Sequence, residues 1–415
     1  MEAASRVSES EISQSSGNSC ASETTLRGTT LPQTTYCHYL GGLVTTLDHV
    51  ARIPKLIIER AKYALVGSGN YEVQSSKARP RSLKRLFYCF AAGIVAAMAT
   101  MDQSMLIKLM TPIVIPLMTS KTPWHSGAEW KIFLGMYDAV VEARLSHCEH
   151  RQISTRYGST MVHICGSATN NTVLLFSGMR ASSAMWDFVA NHKDLLQRRR
   201  LVLVDHVCDA GRSVPVGCPN TSDEHAAWVK DIYTELSVVS ADLVGYSYGC
   251  FPTALVAIAA PSMVKKVIHV GPAIYGDLPT RLFVKMLPIA IGSLFPGLGF
   301  NAAWMLGSMA HGEDTDDALA QEFLAQYDAA SVVPYNYTFA APYNLSDAEL
   351  AQLATTDVTA VIPEYEAVMD VQQVTFRLTN AQIRVEIMKG AGHRVRIEDP
   401  DSLVEVIARL LLTED

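Results

Sequence analysis

The chain lacks the marks of several large protein classes. It has no surplus of basic charge: 34 lysines and arginines stand against 41 aspartates and glutamates, a formal net charge of −7 over 415 residues. It also lacks a zinc-finger or RNA-binding signature, so nucleic acid is not expected as a partner. No two of the eight cysteines, at 20, 37, 89, 148, 165, 208, 218 and 250, have C-x-x-C spacing. A structural zinc site is therefore not expected. A chain this long has no need of a disulfide scaffold, and we read the cysteines as reduced packing thiols. There is no internal repeat and no P-loop or G-x-G-x-x-G nucleotide loop, and neither metal nor organic cofactor is implied. The basic start and early apolar run of a secretory signal are missing. An intracellular location is the expectation, and four N-x-S/T sequons, at Asn170, Asn220, Asn336 and Asn344, then carry little weight. What is abundant is apolar side chain, 49% of residues against 18% charged, which excludes global disorder.

The apolar residues are unevenly divided. Residues 1–35 are rich in Ser, Thr, Glu and Gly, and cannot bury enough surface to offset their ordering entropy, so this polar tail is expected to be disordered. Residues 36–130 read as a helical extension. Within it, Leu43, Leu47, Val50, Ile53, Leu56 and Ile57 recur at helical intervals, with an interruption at Pro54. A basic run from Lys77 to Arg85 then abuts an uncharged stretch, Leu86 to Met101, and apolar character resumes from Thr111 to Met118. Sixteen residues of helix span roughly 24 Å, short of the ~30 Å bilayer core. The 86–118 stretch fits either a membrane surface or packing on the remaining domain or a second copy of the chain.

From about 150 the texture changes to short β-branched runs alternating with helix-length segments. Strands are expected at 150–156, 159–165, 172–177, 200–205, 241–246, 265–271, 358–362 and 383–389. Helices are expected at 183–197, 222–238, 248–260, 371–380 and 400–412, with a lead-in helix near 131–143. The first two strands meet at Tyr157-Gly158, a hairpin turn. The alternation that follows implies a mostly parallel sheet covered by helices on both faces. Nearly ninety residues separate the strands at 265–271 and 358–362, too many for one crossover. We read a helical cap inserted at about 275–350, at the carboxyl edge of the sheet where ligands bind in such folds.

The sharpest motif is Gly245-Tyr246-Ser247-Tyr248-Gly249, after a strand and before an apolar helix. A sharp strand-to-helix turn lifts a serine hydroxyl above the sheet, and flanking glycines let the backbones pass. A serine hydroxyl is a poor nucleophile without a base. Of twelve histidines, His393 in Gly390-Ala-Gly-His393 sits just after the last strand; His269 and His311 are poorer candidates. A carboxylate to orient that imidazole should lie at the end of strand 358–362. There Glu364, Glu366 and Asp370 compete, and Glu366 has the best register, with Asp370 the alternative. An oxyanion could be held by the amides of Tyr248 and of Met179, the latter following Ser177-Gly178 at the end of the third strand.

Together these residues resemble the α/β-hydrolase superfamily over about 131–415, and within it the carboxylesterase-like serine hydrolases. The pieces occur in family order: Ser177-Gly178, Ser182-Ser183-Ala-Met-Trp186, Val204-Asp205 with Gly211-Arg212-Ser213, the turn at Ser247, the acid turn Pro363-Glu-Tyr-Glu-Ala-Val-Met-Asp370, and Gly392-His393. The resemblance implies an α/β-hydrolase fold with an eight-stranded, mostly parallel sheet and a helical cap. It implies Ser247 as nucleophile, His393 as base, Glu366 as acid, and a structural role for Asp205 and Arg212. The family's usual His-Gly is Ser177-Gly178 here, and its usual glycine before the acid is Pro363. The implied activity is hydrolysis of a carboxylic ester of a hydrophobic small molecule. An acyltransferase, lyase or cyclase on the same scaffold is the alternative, and a catalytically silent binding protein a further one. Epoxide hydrolase and haloalkane dehalogenase chemistry uses an aspartate nucleophile, which serine at 247 argues against.

Overall fold

The computed structural model describes residues 128–277, 279, 318–331 and 342–413. The polar tail, most of the 36–130 extension with its 86–118 stretch, and much of the 275–350 insertion lie outside the described residues. Among the described residues, no helix is long and apolar enough to cross a membrane.

The first described element is helix α1 (Ala128–Arg144), the expected lead-in helix. It is followed by β1 (Glu149–Thr155), β2 (Gly158–Cys165) and β3 (Asn171–Phe176). Short helices α2 (Asp187–Ala190) and α3 (Lys193–Arg198) lead to β4 (Arg199–Val204) and the two-residue β5 (Val214–Pro215). Helix α4 (Ser222–Glu235), β6 (Ala241–Tyr246), α5 (Cys250–Ala259) and β7 (Val264–Val270) come next. Helix α6 (Ala318–Ser331) is the described helical part of the insertion. The chain ends through α7 (Asp347–Leu353), β8 (Asp357–Tyr365), α8 (Val371–Asn380), β9 (Arg384–Gly392), α9 (Val395–Glu398) and α10 (Pro400–Leu412).

All eight expected strands form, in the order β1-β2-β4-β3-β6-β7-β8-β9, and β5 adds a ninth by pairing with β2. The β1–β2 hairpin turns at Tyr157-Gly158, and β2 joins β4 antiparallel; from β4 through β9 every pairing is parallel. The parallel strands are apolar on both sides because both sides are covered. In β3, Leu174 and Phe176 face one core with α4, α5 and α8, while Val173 and Leu175 face the other with α1, α2 and α10. Trp228 on α4 shows the packing on the first side. It is fully buried, its ring meets Phe176 edge-on at 5.8 Å, and its indole N–H donates to Thr160 at 2.9 Å.

Three expectations are corrected. The helix expected at 183–197 is a 3-10 turn, Ser183–Trp186, followed by α2 and α3. It breaks at His192, whose extended backbone ends one helix and whose ring nitrogen accepts from the Leu195 N–H to cap the next. β8 runs past residue 362 to Tyr365, because Pro363 is tolerated beside an irregular register between Pro363 and Tyr365 on the ladder to β9. The described cysteines are not all thiols: Cys148 bonds to Cys165 and Cys208 to Cys218, and Cys250 is a buried free thiol. Pairing Glu149 with Ile164 in the hairpin places Cys148 opposite Cys165, a proximity that spacing along the chain does not reveal.

Asp205, after β4, ties the sheet to its surroundings. One carboxylate oxygen accepts from the Ser183 N–H at 2.8 Å. The other accepts from the Arg212 N–H at 2.7 Å and the Tyr137 hydroxyl at 2.9 Å. Burial, and then the Asp205 charge, push the Tyr137 phenol well above its ordinary pKa. These bonds fix α1, the 3-10 turn and the β4–β5 loop to one buried group, the structural part expected of Asp205. Arg212 adds an ion pair to Asp138 on α1, with Nε donating at 2.7 Å. Asp205→Ala would leave the buried Ser183 N–H and the half-buried Arg212 N–H without their acceptor, each costing about 1–3 kcal/mol, while the Tyr137 hydroxyl keeps His163 Nε2 at 2.6 Å. We expect it to lower the midpoint of chemical denaturation by the equivalent of at least about 2 kcal/mol, read by near-ultraviolet circular dichroism.

Candidate active site

The order β4-β3-β6 places consecutive crossovers on opposite sides of β3, and the carboxyl ends of β3 and β6 flank the resulting crevice. β6 ends at Tyr246, and Ser247 follows with φ +50, a left-handed conformation that a non-glycine residue adopts only under constraint. The constraint is close passage. A Cβ on Gly245 would lie 2.5 Å from the Gly249 carbonyl oxygen, and one on Gly249 would lie 2.2 Å from that of Phe176. Only glycines at 245 and 249 let the turn close while α5 packs against β3.

The structure brings Ser247, His393 and Glu366 together. The Ser247 hydroxyl lies 3.1 Å from His393 Nε2. His393 Nδ1 lies 2.9 Å from one carboxylate oxygen of Glu366 and 2.8 Å from the other. Donation from Nδ1 to the carboxylate leaves Nε2 to accept from the serine. Glu366 is 2% exposed and also accepts from the Val368 N–H at 3.0 Å. The rival carboxylates are used elsewhere. Asp370 caps α8, accepting from the Gln373 N–H at 3.0 Å, while Glu364 accepts from Lys389 and the Gly390 N–H.

Burial presses the His393 pKa down, but the charge of Glu366, its hydrogen bond and the nearby charge of Glu398 outweigh it, and the net shift is upward. His393 is therefore a better proton acceptor than its buried position alone would allow. By contrast, burial drives His269 down to about 3; its ring is taken up by Thr253 at 2.8 Å and Tyr275 at 2.5 Å, which leaves it a core group. His311 lies outside the described residues.

The two residues expected to supply oxyanion amides, Met179 and Tyr248, directly follow Gly178 and Ser247 in the chain. Tyr248 directly follows Ser247 in the 3-10 turn Ser247–Gly249. Gly178 lies against the turn, so that a Cβ on it would be 3.5 Å from the Ser247 Cβ. Arg180, two residues beyond Gly178, is buried at φ +63, and its N–H donates to Asp209 at 2.9 Å. Its guanidinium reaches the Ala330 carbonyl of α6 at 3.4 Å, tying the loop after β3 to the insertion.

Several supports were not singled out from the sequence. The Tyr246 hydroxyl donates to the His393 carbonyl at 2.5 Å, and Glu398 accepts from the Gly392 N–H at 2.7 Å, so the histidine loop is held from both sides. Arg396 is buried; its Nε donates to the Met185 carbonyl at 2.7 Å and it pairs with Asp187, while its guanidinium lies 4.5 Å from the Phe188 ring. Gly271 follows β7 at φ +55, and a Cβ there would lie 3.2 Å from a Glu366 oxygen and 3.4 Å from His393 Nδ1. The signal for Gly271 was its place at the end of a strand, before Pro272. Nothing in the sequence pointed to the Arg396–Asp187 pair.

Among the described residues, one group has the residue types of a metal site, His147 with Cys148 and Cys165. Its sulfurs are joined in a disulfide, so it offers no thiolate to an ion.

Two relatives from Bacillus subtilis (strain 168) align with about two thirds of the chain. "Uncharacterized carboxylesterase nap" is 25% identical over 283 residues, covering 64% of this chain and 88% of the relative. "Carboxylesterase YbfK" is 26% identical over 281 residues, covering 65% and 90%. The crystal structure of naproxen esterase (carboxylesterase NP) from Bacillus subtilis superimposes with a TM-score of 0.59 at 22% identity, over 70% of this chain and all of the other. That of carboxylesterase CesB (YbfK) does so with the same values. The alpha/beta hydrolase family matches residues 173–406, more than half of the chain, from within β3 into α10, and the chain belongs to that family.

Proposed function

We propose that this protein is a serine hydrolase that cleaves a carboxylic ester of a hydrophobic small molecule through an acyl-enzyme. The observation that carries the proposal is the continuous line from the Ser247 hydroxyl through His393 to Glu366, with contacts of 3.1 and 2.9 Å. The carboxylesterase relatives support the same chemistry.

In the proposed reaction, Ser247 Oγ attacks the ester carbonyl carbon as His393 Nε2 takes its proton. The amides of Met179 and Tyr248 hold the oxyanion. The tetrahedral intermediate expels the alcohol, which receives the proton from His393, and leaves Ser247 acylated. Water then attacks the acyl carbon, giving its proton to His393, and the acid departs as Ser247 recovers a proton. Glu366 keeps the Nδ1 tautomer and supports the imidazolium formed at each step. Glycines at 245, 249 and 271 let the three groups approach closely enough for one hydrogen-bonded line. The apolar residues in the sequence of the 275–350 insertion favour a hydrophobic substrate.

A fluorophosphonate probe tests the reading. It should form an adduct on Ser247, and Ser247→Ala should abolish both the adduct and the cleavage of p-nitrophenyl esters. An unlabelled Ser247 together with intact esters would sink it, and full activity of Ser247→Ala on a physiological substrate would favour lyase or cyclase chemistry. Glu366→Gln should lower kcat at least about a thousandfold through the wrong tautomer, whereas Asp370→Asn should leave kcat within about twofold. Since the base must be neutral, kcat/KM should fall as pH drops through the His393 pKa. The raised pKa places this limb above the ~6.5 of ordinary imidazole. Residual activity of Glu366→Gln should show the limb moved to lower pH, because the charge that stabilises the imidazolium is gone. Gly271→Ala should reduce kcat by about tenfold or more with little change in KM, since its Cβ crowds the Glu366–His393 contact rather than the substrate.

A further inference from the structure

Two sets of residues outside the catalytic contacts agree on where this domain matures. The first is the cysteines. Cys148 and Cys165 face each other at the open end of the β1–β2 hairpin with Cα atoms 4.5 Å apart, and both are buried in the core beneath α1. Cys208 and Cys218, with Cα atoms 5.9 Å apart, close the loop between β4 and α4 that contains Asp209 and Arg212. Four of the five described cysteines are thus paired, in two bonds at separate places in the fold. Structural disulfides of this kind form and persist in oxidising compartments and are rare where glutathione and thioredoxin keep thiols reduced.

The second set is the sequons. Three of the four lie in described residues, and each asparagine stands on an irregular surface segment. Asn170 ends the exposed turn 166–169 before β3. Asn220 is exposed just ahead of Thr221, which caps α4. Asn344 is exposed just ahead of Ser346, which caps α7. Each side-chain nitrogen makes one hydrogen bond: Asn170 donates to the Gln197 carbonyl at 3.0 Å, Asn220 to the Cys218 carbonyl at 2.9 Å, and Asn344 to Asp277 at 2.7 Å. A glycosylated amide keeps one N–H, enough for that bond, and a bulky glycan needs solvent, which Asn220 and Asn344 face and which the half-buried Asn170 reaches beside an exposed turn.

We propose that the catalytic domain folds in an oxidising compartment, where Cys148–Cys165 and Cys208–Cys218 form and Asn170, Asn220 and Asn344 are N-glycosylated. For each cysteine pair, one thiolate attacks the disulfide of a thiol–disulfide oxidant to give a mixed disulfide. The second thiolate then displaces the oxidant as a dithiol, so the protein loses two electrons and two protons and the oxidant gains them. At each asparagine, the amide nitrogen displaces a polyprenyl diphosphate from the first sugar carbon of a diphosphate-linked oligosaccharide. An N–C bond forms, a C–O bond breaks, and one amide proton is released. Neither step depends on the hydrolase chemistry, so the two readings stand or fall separately.

The test is mass spectrometry on the full chain isolated from its own cells, with free thiols alkylated before lysis and glycans removed by peptide N-glycosidase in heavy-oxygen water. The expected result is heavy-oxygen aspartate at positions 170, 220 and 344. The peptides of each cysteine pair should be linked until reduction, and Asn→Gln at each sequon should remove one discrete step in gel mobility. Unmodified asparagine at all three positions, or alkylated thiols at all four cysteines in the unreduced chain, would overturn the proposal.

Discussion

The parallel half of the sheet is buried on both faces, and the placement of every candidate site group follows from that. Leu174 and Phe176 pack one way and Val173 and Leu175 the other, so the strand interiors are closed to solvent and substrate alike. Chemistry has room only beyond the carboxyl ends of the strands. Ser247 follows β6, Gly178 and Met179 follow β3, Glu366 follows β8, and His393 follows β9. The tightest passage is the turn at Ser247, where helix α5 must start almost in contact with β3. The strained φ of the serine and the two glycines around it are consequences of that crowding, and the serine hydroxyl they position lies 3.1 Å from His393 Nε2.

The second constraint is electrostatic. An imidazole buried as deeply as His393 should resist protonation, as His269 does in the core. The difference is the buried carboxylate of Glu366, reinforced by Glu398. A charged acid and a neutral base held in low-dielectric surroundings interact more strongly than they would in water, and the pair is poised to accept a proton from a neighbouring hydroxyl. Much of the surrounding hydrogen bonding serves this placement. Tyr246 and Glu398 grip the backbone of the histidine loop, and Arg396 anchors the following turn to Asp187 and Met185.

The legibility of these features in the sequence differed by their range along the chain. The strands were readable because a doubly buried strand is an unbroken β-branched run. The serine turn was readable because its glycines, serine and flanking elements are contiguous. Glu366 stood beside two rivals in one short segment, and register favoured it. Only the fold shows that Asp370 is taken by a helix cap and Glu364 by the Lys389–Gly390 turn. The break at His192 was missed because the residues around it have the apolar content of a helix, while the new start rests on one local bond, from the Leu195 N–H to the His192 ring.

The sequence by itself determined the class of fold, the serine turn, the histidine after the last strand and the acid segment, because each is encoded in residues adjacent along the chain. Tertiary structure decided what depends on meetings across the chain. It paired Cys148 with Cys165 and Cys208 with Cys218, where composition had favoured thiols. It set Gly271 against the Glu366–His393 contact, and it placed Arg180 between the loop after β3 and the inserted helix. The physical reason is that hydrogen bonds, disulfides and steric contacts act over a few ångströms in space. Strand order alone decides which distant residues come that close.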